Sequence, residues 1–173
     1  MDDGFIIYNG NKQELIDFFE LANSHHKFLK FTYDISNAET TFLDVHLFKG
    51  RRFLNENILD LKTHFKPTNT FLYLHRNSCH IKHVFSGFIK GEVIRYIRNT
   101  NNIDDLEQIL SQFKLNLIKR EYKEKEIDNC VNEARTRDRK FLLKKLSKKE
   151  KKEISLVLST KYNPCIKKTG KIY

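Results

Sequence analysis

Apolar positions along this chain change their rhythm once, near residue 76. Before it the pattern is mixed. Gly4 to Tyr8 holds a short apolar run, Phe5-Ile6-Ile7, that ends at the turn pair Asn9-Gly10 and reads as one arm of a β-hairpin. Leu15, Phe18, Phe19 and Ala22 recur at helical spacing and predict a helix over 12–24. Phe28 to Tyr33 reads as a strand, followed by a turn at Ser36-Asn37. Leu43, Val45 and Leu47 alternate with Asp44 and His46, a half-buried strand closed by Lys49-Gly50. A further strand pair is expected at 52–54 and 58–65, with Pro67 ending it. The first part is thus a β-α-β-β(-β) block.

From residue 79 onward the pattern is helical. Ile81, Val84, Phe85, Phe88, Ile94 and Ile97 set a helix over about 81–98, with Gly87 and Gly91 weakening its middle. Asn102 is placed to cap a second helix, whose stripe is Ile103, Leu106, Leu110, Phe113 and Leu117. Ile127, Val131 and Ala134 mark a third, expected over about 125–146. Ile154 to Leu158 is a last apolar run that reads as a strand, stopped by Tyr162-Asn163-Pro164. The fold class is α+β: a small, mostly antiparallel sheet with one helix over 1–75, a helical helix-turn-helix-like bundle over 76–152, and a basic strand and tail over 153–173.

Composition narrows the class. At 39% apolar with 14 Phe and 7 Tyr, 173 residues can bury a core. Cys79, Cys130 and Cys165 are odd in number and widely spaced, which argues against a disulfide scaffold. With no leader-like opening and no apolar run of membrane-spanning length, an intracellular protein of nucleus or cytoplasm is expected. The charge is lopsided. Residues 1–138 carry 20 Lys and Arg against 20 Asp and Glu, and residues 139–173 carry 12 against 2, so the whole +10 lies at the end. Lys144, Lys145, Lys148 and Lys149 are its densest part, and the simplest partner for such an arm is a nucleic acid.

Three groups of residues carry candidate chemistry. Asp2 and Asp3 could supply hard oxygen ligands to Mg²⁺, as two-metal phosphoryl transfer requires. His75, Cys79, His80 and His83 are zinc-ligand types, but H-x₃-C-H-x₂-H fits no common finger. They read instead as a loop entering a helix capped by Asn77 or Ser78, with His80 and His83 free to touch phosphate. Arg95, Arg98, Lys119, Arg120, Arg135, Arg137 and Arg139 on the helices, with Lys66 before them, are candidate phosphate contacts, which position a protein without reading sequence.

Taken in order, the motifs resemble one family. Asp2-Asp3 before Phe5-Ile6-Ile7, Asn9-Gly10, Asn23 and His26, Lys30-Phe31-Thr32, Phe42-Leu43-Asp44-Val45, Lys66-Pro67-Thr68, Tyr73-Leu74, Ser78-Cys79-His80 with His83, and Thr160 to Pro164 are similar to the C-terminal part of Penelope-like retroelement reverse transcriptases. The resemblance implies an RNA-directed DNA polymerase fragment that opens inside the catalytic hairpin and runs through the end of the palm and the thumb. Asp2 and Asp3 would be two catalytic, Mg²⁺-binding aspartates, and Phe42, Leu43, Asp44 and Val45 a primer-gripping strand. The third aspartate and the fingers would lie upstream or on another chain, so no polymerase activity is expected from this chain alone. The expected partner is an RNA or DNA template-primer duplex. The alternatives are a non-enzymatic helix-turn-helix nucleic-acid-binding protein, and a decayed element copy without function.

Overall fold

The computed structural model describes residues 3–144. Asp2, Lys145, Lys148, Lys149 and the strand expected at 154–158 lie outside the described residues. In chain order the elements are α1 (Lys12–His25), β1 (Glu39–Phe42), β2 (Val45–Phe48), α2 (Arg51–Glu56), β3 (Asp60–Thr63), α3 (Lys82–Asn99), α4 (Ile103–Ile118), α5 (Glu124–Arg135) and α6 (Arg139–Leu143). The architecture is α+β. The sheet is an antiparallel meander, β1-β2-β3, with Phe42 opposite Val45 and Val45 opposite Thr63.

Several expected strands take another form, each for a local reason. Gly4 to Tyr8 finds no ladder partner; the Phe5 ring rests on Phe42 at 5.9 Å and the Tyr8 hydroxyl donates to Glu14 at 2.9 Å. Phe28 to Tyr33 does not pair either, because the Asn23 carboxamide serves the backbone of Phe31 on both sides. It accepts from Phe31 N at 2.6 Å and donates to Phe31 O at 3.0 Å, a partnership that replaces a neighbouring strand. The single strand expected over 43–48 is instead a hairpin folded at Leu43-Asp44, with Leu43 at φ 54°. Residues 52–54 are helical rather than extended. The Asp60 carboxylate accepts from Arg52 N at 3.2 Å in the first turn of α2, and Asn57, at φ 56°, closes its end on Phe53 O. Gly50 is required there, since a Cβ would run into the Asp60 carboxylate.

The helices beyond residue 80 hold the core. Phe85, Ile89, Val93, Tyr96 and Ile97 of α3 recur at helical spacing and meet Leu106, Ile109, Leu110, Phe113 and Leu117 of α4, with Ile127, Cys130 and Ala134 of α5 closing the cluster. Asn102 caps α4 as expected, accepting from Asp104 N at 2.8 Å. The expected cap of α3 at Asn77 or Ser78 is not made. The N-cap is Ile81, without a side-chain bond, and Ser78 turns back to His75 O at 2.7 Å. The helix expected over 125–146 is broken at Thr136–Asp138, because Asp138 caps a new helix by accepting from Lys140 N at 2.9 Å.

One joint fixes the sheet to the bundle. The elbow between α3 and α4, Thr100-Asn101, acts as a further strand partner for β3. Asn101 N donates to Leu61 O at 3.1 Å and Leu61 N to Asn101 Oδ1 at 2.5 Å, while Asn101 Nδ2 donates to Asp60 Oδ1 at 2.6 Å. Thr63 N donates to Thr100 Oγ1 at 3.1 Å in a buried setting. Buried Asp60, Thr63 and Thr100 are satisfied by this joint, which is why they can be buried.

Candidate nucleic-acid interface

Charge separates by helix. Helix α3 carries Lys82, Lys90, Arg95 and Arg98 against Glu92 alone. Helix α4 carries Asp104, Asp105 and Glu107 against Lys114, and α5 carries Glu124, Glu126, Asp128 and Glu133 against Lys125 and Arg135. Two of the three cations on that acidic side are paired, Lys114 with Asp128 at 2.8 Å and Arg135 with Glu107, and Lys90 of α3 pairs across to Glu133 at 2.7 Å. A polyanion therefore meets attraction on α3 and repulsion over much of α4 and α5.

The C-terminal half of α3 faces the hairpin. A groove of about 530 Å³ runs between the turn Phe42-Leu43-Asp44-Val45 and the α3 residues Gly91, Ile94, Arg95, Arg98 and Asn99. The four residues expected to form a primer-gripping strand straddle the hairpin turn, Phe42 ending β1 and Val45 opening β2, beside two of the arginines expected to touch phosphate. Arg95 crosses the groove wall, pairing with Glu92 at 2.8 Å and Asp44 at 3.4 Å. Gly87 and Gly91 lie one turn apart with nothing within 4 Å of where a Cβ would stand. Packing inside the protein does not need them, and each costs a helix about 1 kcal/mol against alanine. What they supply is a low, bare stretch of helix that another backbone can approach closely.

Arginines from three elements gather at the end of α3. Arg139 Nε donates to Ile97 O at 2.9 Å and its Nη2 to Arg98 O at 2.9 Å, which satisfies carbonyls at the helix C-terminus. Arg98 Nε donates to Leu142 O at 3.0 Å in return. Burial, and then the nearby positive charge of Arg52, push the Arg139 guanidinium down from its ordinary value. Among the described residues no carboxylate pairs with the side chains of Arg52, Arg98 or Arg139. Arg52 was missed from the sequence because its segment reads as a strand; the Arg-Arg pair after Gly50 was the available signal.

The remaining expected residues are dispersed. Lys66 is exposed after β3. His83 is exposed in the first turn of α3, and His80 stands edge-on to Phe85 at 6.0 Å, with its Nδ1 3.0 Å from Ser78 Oγ. Lys144 is exposed just after α6. Asp3 is exposed, and among the described residues no three His, Cys, Asp or Glu side chains gather as a metal site. Asp2, the other half of the Mg²⁺ expectation, lies outside the described residues. Among the described residues no helix is long and apolar enough to cross a membrane.

Comparison with curated proteins and with solved structures returns no match. Residues 72–132, however, match the family model of the animal helix-turn-helix domain, a stretch that takes in α3, the Thr100–Asn102 elbow, α4 and most of α5.

Proposed function

We propose that this chain is a nucleic-acid-binding protein that grips a duplex through its phosphates, using the exposed face of α3, the hairpin turn beside it and the arginines at its C-terminal end. The observation that carries this reading is the helix-turn-helix match at residues 72–132. The uneven charge of the three helices supports it and points to α3 as the side that faces the polyanion. The basic residues of 139–173 would extend the same grip. Contacts of this kind give affinity and register rather than sequence choice.

The test is a titration of a fluorescent duplex of about 16 bp across roughly 50 to 200 mM KCl, with affinity falling steeply as counterions are released. The double variant Arg95→Gln with Arg98→Gln should reduce the salt slope by about 2 while leaving the fold intact by circular dichroism. Affinity that is absent, or indifferent to salt, overturns the reading.

A second reading, the C-terminal part of a reverse transcriptase with Asp2 and Asp3 on Mg²⁺, is favoured by the ordered motif series and by the seat of Phe42–Val45 against α3. Its test is Mg²⁺-dependent nucleotide incorporation on a primed RNA template, by this chain alone and mixed with a segment that supplies the third aspartate. No incorporation in either case excludes it.

A further inference from the structure

A second, half-open cleft of about 160 Å³ lies between α4 and the loop before α3. Its buried base is Tyr96 and Phe113, with Tyr73 beside them; Phe65 and Phe71, half-buried, line it from the loop side. These rings meet one another edge-on: Tyr73 to Phe113 at 5.1 Å and 88°, Tyr96 to Phe113 at 5.4 Å and 80°, Phe65 to Phe71 at 5.2 Å and 61°. Tyr96 and Phe113 are shut off from solvent at the base, so the rings a flat guest can reach are the half-buried Phe65, Phe71 and Tyr73. A cavity of about 150 Å³ holds one benzene ring, so this one takes a single planar ring system, with any excess standing in its mouth.

The rim decides the chemistry of that guest. Gln108, Gln112 and Asn116 follow one another at a spacing of four along α4 and all line the cleft. Gln112 Nε2 donates to Asn116 Oδ1 at 3.2 Å, which leaves the Gln112 oxygen and the Asn116 amide hydrogens unspent between them. Neighbouring acceptor and donor groups of this kind match the edge of a nucleobase, adenine best of all. The Tyr73 and Tyr96 hydroxyls, 3.1 Å apart, stand within the same aromatic wall.

One backbone feature singles out the loop side. Phe71 has φ of 53°, a left-handed conformation that an aromatic residue seldom adopts. It is held there by Phe71 N donating to Asn69 Oδ1 at 2.9 Å and Tyr73 N donating to Phe71 O at 2.9 Å. Strain of this sort persists where the surroundings enforce it, and its effect here is to set the Phe71 ring on the cleft.

We infer that the cleft between α4 and the 65–73 loop is a pocket for one unpaired nucleobase, stacked against the half-buried Phe65, Phe71 and Tyr73 over a base of Tyr96 and Phe113 and read along its edge by Gln112 and Asn116. The inference rests on the nucleic-acid reading and goes beyond it. A protein that holds a duplex by its phosphates has here a separate place for a base that has left the stack.

The experiment uses the full chain and three probes: a DNA duplex with one bulged 2-aminopurine, the same duplex fully paired, and free 2-aminopurine riboside. The bulged duplex should bind about tenfold tighter than the paired one, within the range that base–aromatic stacking gives, with its fluorescence quenched on binding. Gln112 is exposed, so Gln112→Ala should keep the fold and paired-duplex affinity while bringing the two duplexes to within about twofold. Quenching of the riboside, with no preference between duplexes, assigns the pocket to a free nucleoside. Equal binding of both duplexes with no quenching of any probe overturns the inference and leaves phosphate binding standing. If neither duplex binds, the proposed function fails and the riboside alone decides the pocket.

Discussion

Residues 3–58 and residues 82–142 are both rich in apolar side chains, yet only the second group buries them. In the bundle Ile89, Val93, Tyr96, Leu117 and Ile127 are 0% exposed, whereas Phe28 and Leu54 are 82% exposed, and α1 buries no residue at all. The difference lies in spacing. Over α3 and α4 the apolar positions repeat for four turns or more, so two stripes can close on each other and exclude water. Before residue 60 only α1 carries a helical stripe, Leu15, Phe18, Phe19 and Ala22, and no second stripe is buried against it. The first region takes its order from outside, through β3 and the Thr100-Asn101 elbow.

The sharpest way to break this comparison is to open the core. Phe113→Ala should cost about 3–5 kcal/mol and abolish cooperative unfolding along with any duplex binding, as followed by thermal denaturation. Next in size is the joint. Asn101→Ala removes the two side-chain hydrogen bonds to β3, from Leu61 N and to Asp60 Oδ1, and should cost about 1–3 kcal/mol, with amide exchange rising over 39–63 before it rises over α3.

Alkali should act on the bundle first. Burial pushes the Tyr73, Tyr96 and Tyr122 phenols above their ordinary value of 10.0. The unfolded chain then gives up tyrosine protons before the folded one does, so stability is full below pH 10 and falls as pH rises beyond it. For Tyr96 the fall is up to about 1.4 kcal/mol per pH unit. Denaturant midpoints at about pH 8 and pH 11 measure it, and Tyr96→Phe should flatten the slope.

Smaller, and opposite in sign, are Gly87→Ala and Gly91→Ala, each expected to stabilise the fold by about 0.5–1 kcal/mol because the added methyl meets open space. If α3 is the duplex-facing helix, the same changes weaken binding even as they raise the melting temperature. An unchanged affinity would move the interface off this face. Least of all, Phe28→Ser should shift stability by less than about 0.5 kcal/mol.

What the sequence disclosed follows the same divide. Helices α3 and α4 were legible almost to their ends because Phe85, Ile97, Leu106, Leu110 and Phe113 keep helical spacing over a long window and Asn102 announces a cap, although the buried Ile89 and Val93 were not among the positions that marked α3. The first region misled because its backbone partners are side chains. Nothing in the spacing of Phe28 to Tyr33 reveals that Asn23 takes the bonds a strand would have taken. Nor does Arg51–Glu56 show that Asp60 turns back to cap it. Of the interface, Arg95 and Arg98 were readable as charges, but their neighbourhood with Phe42–Val45 depends on a three-dimensional fold no local pattern contains. The aromatic cleft was hidden for the same reason, since Phe65 falls in the strand expected at 58–65, Tyr73 in a motif of the resemblance and Phe113 in the apolar stripe of α4.

The elbow at Thr100-Asn101 also sets a schedule. Leu61 is 40 positions ahead of the Asn101 side chain that receives its amide proton, and Thr63 is 37 ahead of Thr100. On a ribosome adding about 5–20 residues per second, β3 therefore waits several seconds for its partner. Throughout that interval the nascent chain shows Phe65, Phe85, Ile89 and Val93, which belong in or against the core, with no α4 to close on them. The consequence is a birth period in which this protein is a client for chaperones and prone to self-association, whatever its stability once α3 and α4 have closed.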